Sequence, residues 1–271
     1  MFSVVEMSRL VMAGSSSDFD SALRMCADLG YIHITPYSGD EDGIVIGTPH
    51  PDASTISSLL AKVRSANQEL GYTNREGPIS LAAVKKQLDG NFPKHLNSIL
   101  EIIAQENESK TEMVKLTERI SILETISPLN IPLELMTGID SVEVYVGETS
   151  KPNKTMQVFG DLLERVEIHV AGNIVAIACQ SKSAAEVQMA LGELGANPIQ
   201  IPSGKGTPKQ LLSEARSLID DLESTVAACS TKKQAWIDKR GRMLLAVQEY
   251  LQRENEILTA HTLCATSTHA Y

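Results

Sequence analysis

Apolar residues recur at three- and four-residue steps over two stretches of very different length, at 93–126 and at 208–263, and this pattern leaves few folds open. Such spacing lines one face of an α-helix, and helices of that kind must bury their stripes against one another. The longer seam runs through Leu211, Ala215, Leu218, Leu222, Cys229, Trp236, Met243, Val247, Tyr250 and Ile257. It opens on Thr207, Pro208 and Gln210, a capping box with proline at the first helical position. About 55 residues rising ~1.5 Å each predict a helix of roughly 80 Å. The shorter stretch starts at Pro93, carries Leu96, Ile99, Ile103, Met113, Leu116, Ile120 and Leu123, and stops before Pro128 and Pro132. Within it Glu106 and Lys110 stand four residues apart, which predicts a surface pair that thins the seam. The unequal lengths call for more helix beside the longer one. The stripes at 54–70 (Ile56, Leu59, Leu60, Val63, Ala66, Leu70) and at 80–89 fit that need as a three-helix base. An aromatic content of 4% suits such an arm-like, elongated chain, whose seams are built of Leu, Ile and Ala.

Between the two stretches the pattern changes to that of a small α/β lobe. Residues 141–147 alternate, with Val142, Val144 and Val146 on one face. A helix is predicted at 156–166, and strands at 167–170 and 174–179 turn at Ala171-Gly172-Asn173. A second helix at 183–194 has Ser183 and Glu186 as a capping box and Gly195 as its stop, and a last strand falls at 198–201. That order, βαββαβ, is the ferredoxin-like split βαβ unit. Ahead of the arm, strands at 9–14, 31–35 and 44–46 surround a helix that follows Asp18, buries Phe19, Leu23 and Cys26, and ends at Gly30. This second lobe reads as incomplete, with one helix for its sheet.

The predicted fold class is therefore α+β, with two small α/β lobes joined by a long antiparallel helical hairpin. Residues 1–50 form the partial proximal lobe, 51–127 the base helices and the outgoing arm, and 128–206 the distal lobe. Residues 207–265 form the returning helix, and 266–271 begin a missing proximal strand.

A formal charge of −10 repels a phosphate backbone, and no Lys/Arg run with interleaved aromatics offsets it, which argues against nucleic acid as a partner. The longest apolar run, at 174–179, is strand-sized and far short of the ~20 residues a membrane helix requires. The first residues carry Glu6 and lack the basic start of a signal peptide. Cys26, Cys179, Cys229 and Cys264 are scattered on apolar faces with no CxxC, as expected of reduced, buried thiols in a cytoplasmic protein.

Few residues invite a chemical reading. Ser203-Gly204-Lys205-Gly206-Thr207 precedes a helix N-terminus and resembles an anion cradle, but Ile199 stands where a Walker loop has glycine and Gly206 follows its lysine. A turn into the capping box is the competing reading. His261, Cys264 and His269 lack the close paired spacing of a zinc site, and Asp40-Glu41-Asp42 lacks the other positions of a calcium loop. His33 and His169 have no nucleophile in a sharp turn beside them. Trp236 sits in the arm seam and reads as a core anchor rather than a partner contact. No catalytic, cofactor or metal residue is assigned.

The opening MSRLVMAGSSSDFDSALRMCADLGYIHITPY, the strand SVEVYVG, the block NIVAIACQSKSAAEVQMALGELGANPIQIPSGKGTPKQLL and the close of the long helix in TAHTLCATSTHAY, taken in order, resemble the N-terminal cytoplasmic half of archaeal-type rotary ATPase subunit I, the counterpart of V-type ATPase subunit a. The resemblance covers nearly the whole chain and rests on order and spacing. It implies a non-catalytic stator arm of a proton- or sodium-translocating ATPase, on the cytoplasmic face of the membrane, that needs no cofactor. The implied partners are peripheral-stalk coiled coils (E/G-type heterodimers) at both lobes and the membrane half of the same subunit. Members of the family continue into a further proximal strand and a membrane half bearing an essential arginine, so this chain reads as a truncated or split arm with no transport residues of its own. Gln188 and Glu193, polar helix positions of the distal lobe, and the edge strand of its sheet are the candidate partner contacts. The alternative is a regulatory ACT-like module that binds a small ligand, since βαββαβ lobes also serve as sensors.

Overall fold

The computed structural model describes residues 7–39, 43–74, 77–137 and 141–267. In chain order the elements are α1 (Phe19–Leu29), β1 (Val45–Ile46), α2 (Ala53–Leu70), α3 (Leu81–Leu88), α4 (Phe92–Ile126), α5 (Leu133–Met136), β2 (Val142–Glu148), α6 (Thr155–Val158), β3 (Val166–Ala171), β4 (Ile174–Gln180), α7 (Ala184–Leu194), β5 (Asn197–Pro198), α8 (Pro208–Thr259) and β6 (Ala265–Thr266). The protein is α+β and mostly helical, with one long helix and, among the described residues, two small sheets. It divides into two compact units, Met1–Ile103 with Lys232–Tyr271 and Ala104–Thr231, and both α4 and α8 contribute to each.

The first unit is built around helices. Leu60, Val63 and Ala66 of α2 and Val84 of α3 pack with Phe92, Leu96 and Ile99 of α4 and with Trp236, Leu244 and Val247 of α8. The stripe read from residues 54–70 is the face that is buried, with Ile56, Leu59 and Leu70 packed at its margins. Each of the Val, Leu, Ile and Phe side chains, fully buried, stabilises by about 1.5–3 kcal/mol. Trp236 is 7% exposed and donates its indole N–H to the His95 carbonyl at 3.2 Å, so the ring is a core anchor with its polar end satisfied. Gly241 admits Tyr72 against α8: a Cβ there would stand 2.9 Å from the ring.

A smaller cluster joins Leu23 of α1 to Ile257 of α8 and to Ala260 in the 3-10 turn after it, and Gly30 closes α1 in the left-handed region at φ 73°. β1 and β6 form a two-residue antiparallel ladder, Val45 opposite Thr266 and Ile46 opposite Ala265. The strands predicted at 9–14 and 31–35 do not form. Alternating side chains define a face, but a strand must also find a ladder for its backbone groups, and among the described residues this unit's sheet consists of β1 and β6 alone. Leu10 and Val11 are accordingly exposed, at 75% and 81%.

The second unit carries an antiparallel sheet of order β3-β4-β2-β5. Period-two alternation sends its side chains to two buried faces. Val144 and Val146 of β2 and Ile174 and Ala176 of β4 meet Leu123 and Ile126 of α4, Leu133 and Met136 of α5, and Leu211 of α8. Tyr145, Ile177 and Cys179 face Phe159 and the Val187–Ala190 side of α7. In the same unit α4 and α8 run antiparallel, since Cys229 lies 3.8 Å from Gln105 while Arg216 pairs with Glu124 at 2.7 Å.

Three local readings are corrected here. The helix expected at 156–166 is only the four-residue α6 followed by a 3-10 turn, Gly160–Leu162, because Gly160 interrupts it and fully buried Phe159 anchors the break. Ser183 makes no capping bond, and Glu186 turns instead to Arg165 at 3.1 Å. Glu106 does pair with Lys110, at 2.6 Å, but its side chain is buried rather than on the surface. This part of α4 lies against α8, and the Lys110 ammonium offsets part of the cost of burying the carboxylate.

Candidate interaction surface

The loop 203–207 and the face of α7 are the two places where the sequence invited a functional reading. At the loop, the Thr207–Gln210 capping box forms reciprocally: the Thr207 N–H donates to Gln210 Oε1 at 3.1 Å, and the Gln210 N–H to Thr207 Oγ1 at 3.4 Å. The Gly206 N–H, in the position expected of an anion cradle, donates to Glu134 Oε2 at 2.8 Å. This bond, with lesser help from Lys205, holds the Glu134 carboxyl below its ordinary value. Arg119 closes the other side, donating to the Ser203 carbonyl at 3.0 Å, and the Leu133 N–H reaches the Gly206 carbonyl at 3.0 Å. The loop therefore holds a carboxylate of its own chain and fastens α4, α5 and α8 within the unit.

On α7, Val187, Ala190 and Leu194 point into the unit, leaving Gln188, Met189 and Glu193 exposed. Gln188 Nε2 donates to the Tyr145 hydroxyl at 3.2 Å, and that hydroxyl donates to Glu143 Oε2 at 2.5 Å. Donation to a carboxylate holds the Tyr145 phenol above its ordinary value. Gln188 is thus oriented from the sheet beneath it, whereas Glu193 lies a turn further along the same helix. At the sheet margins stand β3, with Glu167 and His169 exposed, and the two-residue β5, whose Pro198 lacks the N–H a longer ladder needs.

The remaining candidates disperse. His33 is exposed outside any strand, and His169 is exposed on β3. Among the described residues no group of three or more His, Cys, Asp or Glu is arranged to hold a metal, and His269 and Asp40-Glu41-Asp42 lie outside them. His261 faces Asp20 rather than Cys264, with its Nε2 2.9 Å from the carboxylate. The thiols are free; Cys179 and Cys229 are buried, while Cys26 and Cys264 are only half-buried. Burial, with a smaller push from Cys26, raises the Cys264 thiol above its ordinary value. Among the described residues no helix is long and apolar enough to cross a membrane. The Glu134 contact was missed because its partners are distant in sequence and neither belongs to a recognised motif.

No family model matches the chain. Over 98% of its length it is 23% identical to A-type ATP synthase subunit I of Halobacterium salinarum, and over 92% it is 24% identical to the same subunit of Archaeoglobus fulgidus. Each alignment takes in 37% of the relative, so the chain spans little more than a third of the length of these curated relatives. Among solved structures, the cytoplasmic N-terminal domain of subunit I, homolog of subunit a, of V-ATPase is similar at 13% identity and a TM-score of 0.46, over 93% of this chain and 90% of that one. Over nearly its whole length, then, the chain is similar to A-type ATP synthase subunit I, the family whose resemblance its sequence carries.

Proposed function

We propose that the chain is a cytoplasmic stator-arm module of an A/V-type rotary ATPase, linking the membrane sector to the peripheral stalks and resisting rotor torque without catalysing a reaction itself. The similarity to subunit I over 98% of the chain carries this reading. The 52-residue α8, continuous through both units, supports it, because an unbroken hydrogen-bonded helix resists stretching along its axis. In this reading residues 1–50 and 128–206 are proximal and distal lobes, 207–265 is the return helix, and the strand order β3-β4-β2-β5 supports a ferredoxin-like distal lobe. Partners are E/G-type coiled-coil heterodimers and the membrane half of subunit I, with Gln188 and Glu193 as contacts on the distal lobe. The place of action is the cytoplasmic face of the membrane.

Calorimetry and co-elution of the full chain with a peripheral-stalk heterodimer test the proposal. Micromolar binding agrees with it, since transient interfaces of modest area have affinities in that range. The same strand order also serves ligand sensors. No heat and no co-elution with the stalk, together with a saturable thermal shift from an amino acid or nucleotide, would replace the stator reading with the ACT-like one.

A further inference from the structure

We propose that β3, an edge of the four-stranded sheet, pairs antiparallel with the β3 of a second copy of this chain, in the register that sets Ile168 opposite the second copy's Ile168 and Glu167 opposite its His169. The inference is independent of the stator reading.

The backbone hydrogen bonds fix which residues of β3 face outward. At the two ends of the β2–β4 ladder the Thr149 N–H donates to the Asn173 carbonyl at 2.8 Å and the Ser181 N–H to the Ser141 carbonyl at 3.4 Å. Bonding groups alternate in direction along an antiparallel strand, so Val175, Ile177 and Cys179 bond to β2, and Ile174, Ala176 and Ala178 bond to β3. Their partners there are Ala171, His169 and Glu167. Val166, Ile168 and Val170 therefore direct their N–H and C=O groups away from the sheet, where among the described residues no further strand meets them. The tight turn Gly172-Asn173, with Gly172 at φ 62°, agrees with this phase, because the pair flanking a two-residue hairpin loop, here Ala171 and Ile174, is a bonded one.

Sheet edges are ordinarily blunted by shortness, proline, lysine or a bulge. The opposite edge, β5, is two residues long and contains Pro198. β3 has none of these devices: it is six residues long, carries neither proline nor lysine, and pairs with β4 without a bulge. Glu167 and His169 are exposed on it, and so is Val170. The partner that this edge fits is itself. A twofold axis makes two such strands antiparallel, and outward residues must meet outward residues, so the allowed registers differ by steps of two. Centred on Glu167, the pairing sets the two carboxylates against each other. Centred on His169, it sets imidazole against imidazole and leaves Glu167 opposite Ala171. Centred on Ile168, it brings each Glu167 carboxylate opposite an imidazole N–H donor of the other copy and lines Val166 against Val170. Like charges directly opposite destabilise a sheet, whereas complementary pairs stabilise it. The register centred on Ile168 is also the one of the three that gives Val166, Ile168 and Val170 a strand partner each, so every outward N–H and C=O of β3 is used.

Sedimentation of the full chain from about 10 µM to about 500 µM tests the pairing, since a short edge contact belongs with the weak, transient interfaces. The average mass is expected to rise from monomer toward dimer. In residue-resolved hydrogen exchange over the same range, the Val166, Ile168 and Val170 amides are expected to gain about threefold or more in protection, while those of Glu167, His169 and Ala171, already bonded to β4, do not change. His169→Glu sets carboxylate against carboxylate at both crossings and is expected to weaken self-association about fivefold. Adding Glu167→Lys to it restores opposite charges and is expected to recover the association. Both side chains are exposed, so the variants keep the fold. A chain that stays monomeric throughout, a dimer whose outward amides gain no protection, self-association unchanged by His169→Glu, or a double variant that does not recover would overturn the proposal.

Discussion

The Gly206 amide donates to the Glu134 carboxylate at 2.8 Å across 72 residues of sequence, so the loop that opens the long helix carries its own anion. The carboxylate also holds the loop to α5, and the hold depends on its charge. Glu134 is depressed below the ordinary glutamate value of 4.5, chiefly by this bond. A depressed acid contributes in full above its unfolded value and loses that contribution as pH falls through the folded one. The Gly206 amide proton resonance is therefore expected to titrate with a midpoint below 4.5. In Glu134→Gln the titration should vanish while the neutral bond persists; an amide that titrates identically in both proteins contradicts the assignment.

Trp236→Ala removes the indole from the first unit's core and takes away the hydrogen bond it adds to the His95 carbonyl. A loss of about 3–5 kcal/mol is expected from transfer and cavity terms together. Because Trp236 is the one tryptophan, urea unfolding has to be followed by circular dichroism. A change under about 0.5 kcal/mol would mean that the ring is not anchoring the core.

Gly241→Ala sets two effects against each other. Alanine improves the helix by about 1 kcal/mol over glycine, but its Cβ would stand 2.9 Å from the Tyr72 ring. Overpacking of this kind costs about 1–3 kcal/mol, so the variant is expected to be neutral to destabilised. Adding Tyr72→Ala removes the clash, and the effect of alanine at 241 should then become stabilising. Additive effects in the double-mutant cycle would show that ring and helix do not press on each other.

Gln188→Ala and Glu193→Ala change exposed positions of α7, so each is expected to move stability by less than about 0.5 kcal/mol. If these residues meet the stalk, the double variant should bind a peripheral-stalk heterodimer several-fold more weakly in calorimetry. Binding equal to that of the unchanged chain would move the contact elsewhere, with the β3 margin next to be tested.

What could be read directly was local and periodic. The helix Phe92–Ile126 follows the predicted span closely, and α8 begins on the capping box that Thr207 and Gln210 announced. Gly195 ends α7 at φ 67°, as its position after the last apolar residue required. Trp236 was assigned to the core because its helical spacing placed it in the seam. These features depend on neighbours within a turn or two, which is the range over which helix period and capping act.

What only the tertiary structure decided involves partners far apart in the chain. Residues 31–35 alternate and 9–14 form a short apolar run, yet neither pattern supplies a ladder, while Val45 and Ile46 pair with Thr266 and Ala265 more than two hundred residues away. Glu186 had a local serine to cap and took the guanidinium of Arg165 instead, a charge-assisted contact that local spacing did not foretell. Glu134 in the loop of Gly206, and Asp20 between His50 and His261, belong to the same class. In each case the sequence determined the chemical character of the side chain. The fold determined its neighbour, because burial and electrostatics act through distance in space, whereas helix propensity acts through distance along the chain.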